Sequence, residues 1–280
     1  MNVTPVDGGL LDLGFAVAAG GRTRLVRRAQ RFPIHFTTPL YLDARRPDMA
    51  FVYVQNPTGG VFGGDRLRTA VTVGPAASVH LTTPSATKIY RMEEGEAVQE
   101  VDLDLEEEAY VEYLPEPLIP QAGSRYEQRT RARVGPAAAL ILSETVGPGR
   151  LARGERFAYD RLMLATEIWA EGREICAERI LLEPGRRAVA ERGILDGYAY
   201  LSTLYAVAPG RDADQIADVL DNAVRGAAGV LAGAGTLPGG TGALARLLSN
   251  SSATIGSALL AAWSAARALL IGHPPPRRRK

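Results

Sequence analysis

A chain of 280 residues with 46% hydrophobic and 22% charged side chains has an ordinary globular make-up, which excludes a low-complexity or collagen-like protein. Its 32 basic and 31 acidic residues leave a formal net charge of +1, so no overall field selects nucleic acid or an anionic membrane. The single cysteine, Cys176, excludes an intrachain disulfide and fits a reducing compartment.

No basic stretch followed by a long apolar run opens the chain, so no signal peptide is expected. The first two-thirds reads as strands separated by Gly-Pro, Gly-Gly and Pro-Gly turns. From Met92 to Ser124 there are eleven acids and no Lys or Arg. Inside that stretch Val101, Leu103 and Leu105 alternate with Glu100, Asp102, Asp104 and Glu106, which is the period of a half-buried strand. The acidic face is expected to be solvated or to meet a basic partner. A weak repeat accompanies the strands. Val73-Gly-Pro-Ala-Ala-Ser-Val matches Val134-Gly-Pro-Ala-Ala-Ala-Leu, with a similar pattern after Leu105, and the shared alanines are Ala77, Ala109 and Ala138. Such spacing fits strand pairs stacked beside one another, and leaves a solenoid-like body and a sandwich both open.

Further strands are expected at 156–170, 174–182 and 198–207, after which the period changes. Asp212 caps a predicted helix to Ala228, with Ile216, Val219, Leu220 and Val224 at helical spacing. A glycine-rich connector follows over 229–242, then an ambiguous segment at 241–248. Residues 253–271 read as a helix ended by Pro274-Pro-Pro. Ser257, Ser264 and Arg267 interrupt it, so a buried or amphipathic helix is expected rather than a membrane span. Its stripe of Leu259, Leu260, Trp263, Ala266 and Leu270 covers the protein's own core or meets a partner. The fold class is therefore mainly β, with a stacked-strand, distorted β-helix-like or sandwich body and two or so α-helices near the C-terminus. A single domain is expected over 1–272, strand-rich to 208 and helix-containing from 209, with a Pro/Arg tail at 273–280.

Four segments could carry chemistry. The first, Asn56-Pro-Thr-Gly-Gly-Val-Phe-Gly-Gly-Asp65, lets the backbone turn tightly but lacks the Lys-Ser/Thr of a phosphate loop. The second, Leu81 to Arg91, contains a formal Ser-x-x-Lys pair, Ser85 and Lys88. A hydrolase reading of it requires a helix starting at Pro84 and lacks the usual companion elements. The third, Glu112 to Arg125, has an irregular path fixed by prolines. The fourth, Gly147 to Phe157, sets Arg150, Arg153 and Arg156 around Glu155. Only His35, His80, His273 and Cys176 offer soft ligands, too scattered for a zinc-type site; a weak cation site would have to use carboxylates and carbonyls.

In that order these segments resemble the urease accessory protein D family. Its Pro-x-Gly-Gly-x-x-x-Gly-Asp element is matched at Pro57 to Asp65, including Gly59, Gly60 and Gly64. The Thr-x-Ser-Ala-Thr-Lys-x-Tyr-Arg element is matched by Ser85, Thr87, Lys88, Tyr90 and Arg91. The Gly-Arg-x-x-x-Gly-Glu-x-Phe element is matched by Gly149, Arg150, Gly154, Glu155 and Phe157. The closing helix with Trp263 and Arg267 is similar too. One departure lies at Tyr113 to Pro117, where the family has Trp-Leu-Pro-Gln-Glu; Pro117 removes a carboxylate that Glu116 can replace. The resemblance implies a non-catalytic, cytoplasmic assembly protein. Its expected partners are urease apoprotein, accessory protein F and, through F, the GTPase G, with no nucleic acid and no membrane. It also implies nickel in weak or transient transit along an internal polar route, with Asp65, Glu155 and Glu178 as candidate lining residues. The readings left beside it are a small Ser/Lys hydrolase and a β-solenoid ligand-binding module unrelated to urease.

Overall fold

The structure is a computed structural model that describes residues 8–276. The four basic residues at 277–280 therefore lie outside the described part. Chain order begins with β1 (Gly9–Val17), β2 (Thr23–Arg31), the two-residue β3 (His35–Phe36) and β4 (Ala50–Gln55). A first rung follows: β5 (Arg66–Val73), β6 (Ser78–Thr82) and β7 (Thr87–Ile89). The second is β8 (Ala97–Leu105), β9 (Tyr110–Tyr113) and β10 (Leu118–Pro120). The third starts with β11 (Arg125–Val134) and β12 (Ala139–Val146), and then β13 (Arg161–Ala170), β14 (Arg173–Leu182) and β15 (Tyr200–Val207) complete the body. At the end come α1 (Ala213–Val224), β16 (Val230–Thr236), β17 (Gly242–Ser249) and α2 (Ser252–Ile271).

These strands make two facing sheets. One has seven strands in the order β14-β13-β11-β8-β5-β1-β2; the five inner strands are parallel and the two edges antiparallel. The other runs β16-β17-β15-β12-β9-β6-β4-β3, with β7 and β10 beside it and a parallel centre from β4 to β12. The alanine repeat is the rung repeat. Ser78 pairs with Tyr110 and Tyr110 with Ala139, so equivalent strands follow the same spacing as the alanines. Each rung turns through a residue at positive φ, Ala76, Glu108 or Ala137, just before Ala77, Ala109 or Ala138. Those alanines are at most 1% exposed. The turns also bond to each other: the Ala76 amide donates to the Glu107 carbonyl at 2.9 Å and Glu108 to Pro136 at 3.0 Å. Only a small side chain fits where successive turns stack this closely. The body is thus a stack of rungs whose two long faces are the sheets.

Apolar side chains fill two layers. Leu13, Phe15, Leu103 and Leu140 lie between the sheets. Ile216, Leu220, Val224, Trp263 and Ala266 pack the helices on the outer face of the larger sheet. Asp212 caps α1 by accepting from the amides of Asp214 and Gln215, as its sequence position predicts. Among the described residues α2 is the one helix long and apolar enough to cross a bilayer, with mean hydropathy 1.5. It packs Trp263, Ala266 and Leu270 against the sheet and leaves Leu260 outside. A buried ion cluster fixes it there. The Arg267 guanidinium, 0% exposed, bonds Asp43 at 2.5 Å and lies 3.0 Å from Glu112. Glu112 is also bonded by Tyr110 and His80, each at 2.6 Å, and the His80 ring lies between Phe51 and Trp263. Burial works to raise the Glu112 carboxyl, but His80, Arg267 and Tyr110 together hold it below the ordinary value.

Several sequence expectations need correction. The connector at 229–242 contains β16, because alternating small residues pair along β17. The ambiguous segment is β17, and α1 stops at Val224, with Gly226 at positive φ just beyond. The strand expected from residue 156 begins at Arg161, after a 3-10 turn at Leu151–Arg153 and a loop. Gly272, left-handed at φ 86°, ends α2 before Pro274 is reached. The acidic face of β8 is partly solvated, as expected, and arginines of the neighbouring strands lie along it. Arg68 and Arg131 hold Asp102 at 3.2 and 3.3 Å, and Arg133 holds Asp104 at 2.9 Å.

Candidate functional site: a buried polar chain

Alternation on each strand decides which side chains meet between the sheets. On β11 the arginines point outward, which turns Tyr126, Gln128 and Thr130 inward. Register then aligns Thr130 with Thr166 of β13, and Thr166 with Glu178 of β14. In the opposite sheet Glu144 of β12 aligns with Thr203 of β15, and Thr203 with Arg246 of β17. Two polar rows therefore face each other inside an otherwise apolar interior.

Hydrogen bonds join them into two neighbouring clusters, one around Glu144 and one around Glu178. The Tyr126 hydroxyl lies 2.9 Å from Gln99 Oε1 and 3.1 Å from Gln128 Oε1. Gln128 Nε2 and Thr130 Oγ1 each donate to Glu144 Oε1 at 2.9 Å, and Thr166 donates to Glu144 Oε2 at 2.7 Å. Glu178, aligned with Thr166 by register, accepts from the Tyr205 hydroxyl and is ion-paired with Arg246, a second cluster beside the first. Glu144 is buried, and burial lifts its carboxyl above the ordinary value. The three hydrogen bonds pull the other way and the Glu178 charge adds to the rise. Burial likewise raises the Tyr205 and Tyr126 hydroxyls, which keeps both as neutral donors. Cys176, two residues from Glu178, is pushed up to about 11, chiefly by burial, so it stays a thiol.

Gln99 also lines a cleft of about 190 Å³ between the glycine loop and the loop before β7, together with Asn56, Thr83, Ser85 and Thr87. At the other end Glu178 and Arg246 are partly exposed, with 22% and 37% of their side-chain surface accessible. The two clusters thus lie in a row between a surface cleft and a partly exposed ion pair, adjacent where Thr166 aligns with Glu178.

The motif residues hold the cleft and its surroundings. At Gly60 a Cβ would lie 2.5 Å from both the Lys88 carbonyl oxygen and the Tyr90 ring, so the glycine is what lets the two motifs touch. Val61 and Lys88, and Val61 and Tyr90, are joined by backbone hydrogen bonds. Gly59, Gly64 and Gly154 occupy left-handed turn positions, and a Cβ at Gly149 would crowd the Pro120 and Glu155 carbonyls at 3.1 and 3.2 Å. Phe62 stacks on Tyr90 at 4.7 Å, and Arg91 packs over Gly123. Lys88 is exposed on a strand, not beneath Ser85 on a helix, so the Ser-x-x-Lys geometry of a hydrolase is absent.

The three candidate lining carboxylates are not brought together. Asp65 closes the glycine turn by accepting from the Phe62 amide at 2.9 Å. Glu155 is paired with Arg150 and accepts from the Ala122 amide at 3.3 Å; the Arg150 bond holds its carboxyl below the ordinary value. Glu178 alone belongs to the polar clusters between the sheets. Among the described residues no three His, Cys, Asp or Glu side chains converge as a ready metal cage. Glu144, Thr130, Thr166 and Arg246 had not been singled out from sequence. Their signal was polar residues at strand positions whose neighbours of the same parity are apolar.

Fold and site together define a stacked-strand β body with two covering helices and two adjacent hydrogen-bonded polar clusters between its sheets. Comparison with known proteins places this body. The chain matches the family described as UreD urease accessory protein over residues 7–280 and belongs to it. It is 43% identical to urease accessory protein UreD 2 of Streptomyces griseus, over 99% of this chain and 95% of that one. Similar proteins named urease accessory protein UreD come from Cenarchaeum symbiosum, 36% identical over 94% and 92%, and Haloarcula marismortui, 35% identical over 99% and 92%.

Proposed function

We propose that the protein is a non-catalytic, cytoplasmic assembly factor that docks on urease apoprotein with accessory protein F and, through F, the GTPase G. In that complex it passes nickel toward the urease active site. The observation that supports this is a row of two polar clusters between the sheets, Gln99 to Thr166 around Glu144 and Tyr205 to Arg246 around Glu178, set side by side where Thr166 aligns with Glu178. Oxygen donors held apart bind a divalent transition metal more weakly than thiolate or imidazole sets do, so an ion can be handed on instead of trapped. The hydroxyls and carboxylates already bond one another, and an ion would replace those bonds one at a time.

The test is restoration of function. A urease gene cluster deleted for its own D-type gene and supplied with this one is expected to regain nickel-dependent urea hydrolysis. A folded protein that co-purifies with the urease proteins yet restores nothing would leave docking standing and remove transfer.

A further inference from the structure

Four strands bound the two sheets, and they are treated very differently. β14 carries both signs, in Arg173, Glu174, Glu178 and Arg179, while β3 is two residues long and β16 has no charge. β2 carries one sign only. From Leu13 to Leu42 the chain has five arginines, at 22, 24, 27, 28 and 31, and no carboxylate. Arg27 is occupied by Asp12 at 2.9 Å, Arg22 sits over the Tyr41 ring, and Arg31 donates to the Gly8 carbonyl. Among the described residues Arg24 and Arg28 have no ion-pair partner. Register puts them on opposite faces of the edge, Arg24 beside Ala16 and Arg28 beside Leu13.

Guarding an edge against aggregation needs one or two charges and no exposed apolar surface. β2 departs from that pattern. The two most exposed large hydrophobics among the described residues are Val26, at 66%, and Phe32, at 65%; Val26 is the bulged residue of β2 and Phe32 follows its end. Val17, across the hairpin, and Leu42, beside Tyr41, which bonds Thr23, are also exposed. Phe32 and Phe62 line one shallow depression of about 280 Å³ at the end of the strand. Arginines beside exposed aromatic and aliphatic side chains are the composition of an interface, and an unpaired edge supplies main-chain donors and acceptors.

We infer that the free edge of β2 docks an extended, carboxylate-bearing segment of a partner protein, added as an eighth strand to the smaller sheet. Arg24 and Arg28 meet carboxylates on both faces of that segment, Val26 packs on its middle, and the Phe32–Phe62 depression seats an apolar side chain at its end. The inference rests on the assembly reading for the identity of the partner: it is one of the urease proteins.

The experiment uses the full chain, tagged at its C-terminus and co-expressed with urease apoprotein and accessory proteins F and G. A photo-crosslinking phenylalanine derivative replaces Val26, or Leu260 on α2 as a control. Light is expected to join position 26 to a carboxylate-rich segment of one partner, identified by mass spectrometry. R24E/R28E is expected to cut that yield about tenfold or more, as loss of an interface charge pair does, with R24Q/R28Q intermediate. Reversing the charges of the partner segment should restore it to R24E/R28E. A complex that forms with position 26 silent, or joined only to a second copy of this chain, overturns the inference and leaves the assembly reading intact. The same holds if the R24E/R28E yield is unchanged while its melting curve matches wild type. If the untouched chain co-purifies with none of these proteins, the assembly reading fails and the inference with it.

Discussion

Arg267 carries its charge at 0% exposure, and among the described residues its compensating carboxylates are Asp43 and Glu112. Removing one member of such a buried set strands the others. R267M is therefore expected to destabilise the protein by about 3–5 kcal/mol, measured by urea unfolding. Replacing Arg246 should behave oppositely, because that ion pair is partly open to solvent. R246A is expected to change stability by only about 0–1 kcal/mol, yet it removes the cation that occupies Glu178. Equilibrium dialysis against nickel would then show tighter or additional binding by R246A than by wild type; equal binding would mean that Glu178 is not reachable by an ion. At Gly60 the reason is steric. G60A must push the Lys88 carbonyl or the Tyr90 ring away from a 2.5 Å contact, and a loss of roughly 1–3 kcal/mol is expected in thermal unfolding.

At the scale of elements, α2 is attached through groups that titrate. Glu112 is ionised more readily in the folded chain than its ordinary value of 4.5 allows. Its contribution is thus fully present above that pH and is lost as pH falls through the depressed native value. Thermal midpoints measured across acid pH should drop for wild type below about 4.5 and drop less steeply for E112Q, which starts lower; parallel curves would assign the acid loss to other carboxylates. The helix itself was legible in sequence, as were Asp212 as a cap, the strand through Val101, Leu103 and Leu105 and the rung repeat, because each has a local period or a local capping bond. β16 was not. Its glycines and alanines have no apolar alternation, and the strand exists because β17 offers it a partner. The arginine ladder on β8 was hidden for the same reason: the acids and arginines lie a full rung apart in sequence, and only register brings them side by side.

For the whole molecule the stacked rungs explain why the buried clusters were invisible before the fold. Gln128, Glu144, Thr166 and Glu178 come from four strands, and no short motif contains two of them. Asp65 and Glu155 were legible as motif members, but the fold uses them to close turns, Asp65 on Phe62 and Glu155 on Arg150 and Ala122. Once stacking is granted, the inward positions follow from strand parity, and polar residues there stand out against the apolar ones. The same architecture separates the two roles proposed for the protein. The proposed partner binding would fall on edges and outer faces and the proposed ion passage between the sheets, so substitutions are expected to affect one without the other.

The double variant E144Q/E178Q addresses the transfer claim directly. Both changes keep side-chain size and most hydrogen bonds while removing the two interior charges. Activation of urease apoprotein by nickel should be compared for wild type and variant at equal amounts of purified complex. Complex formation is expected to be unchanged and activation to fall about tenfold or more, the scale seen when groups around a metal are altered. Full activation by a folded, complexed double variant would contradict the interior route.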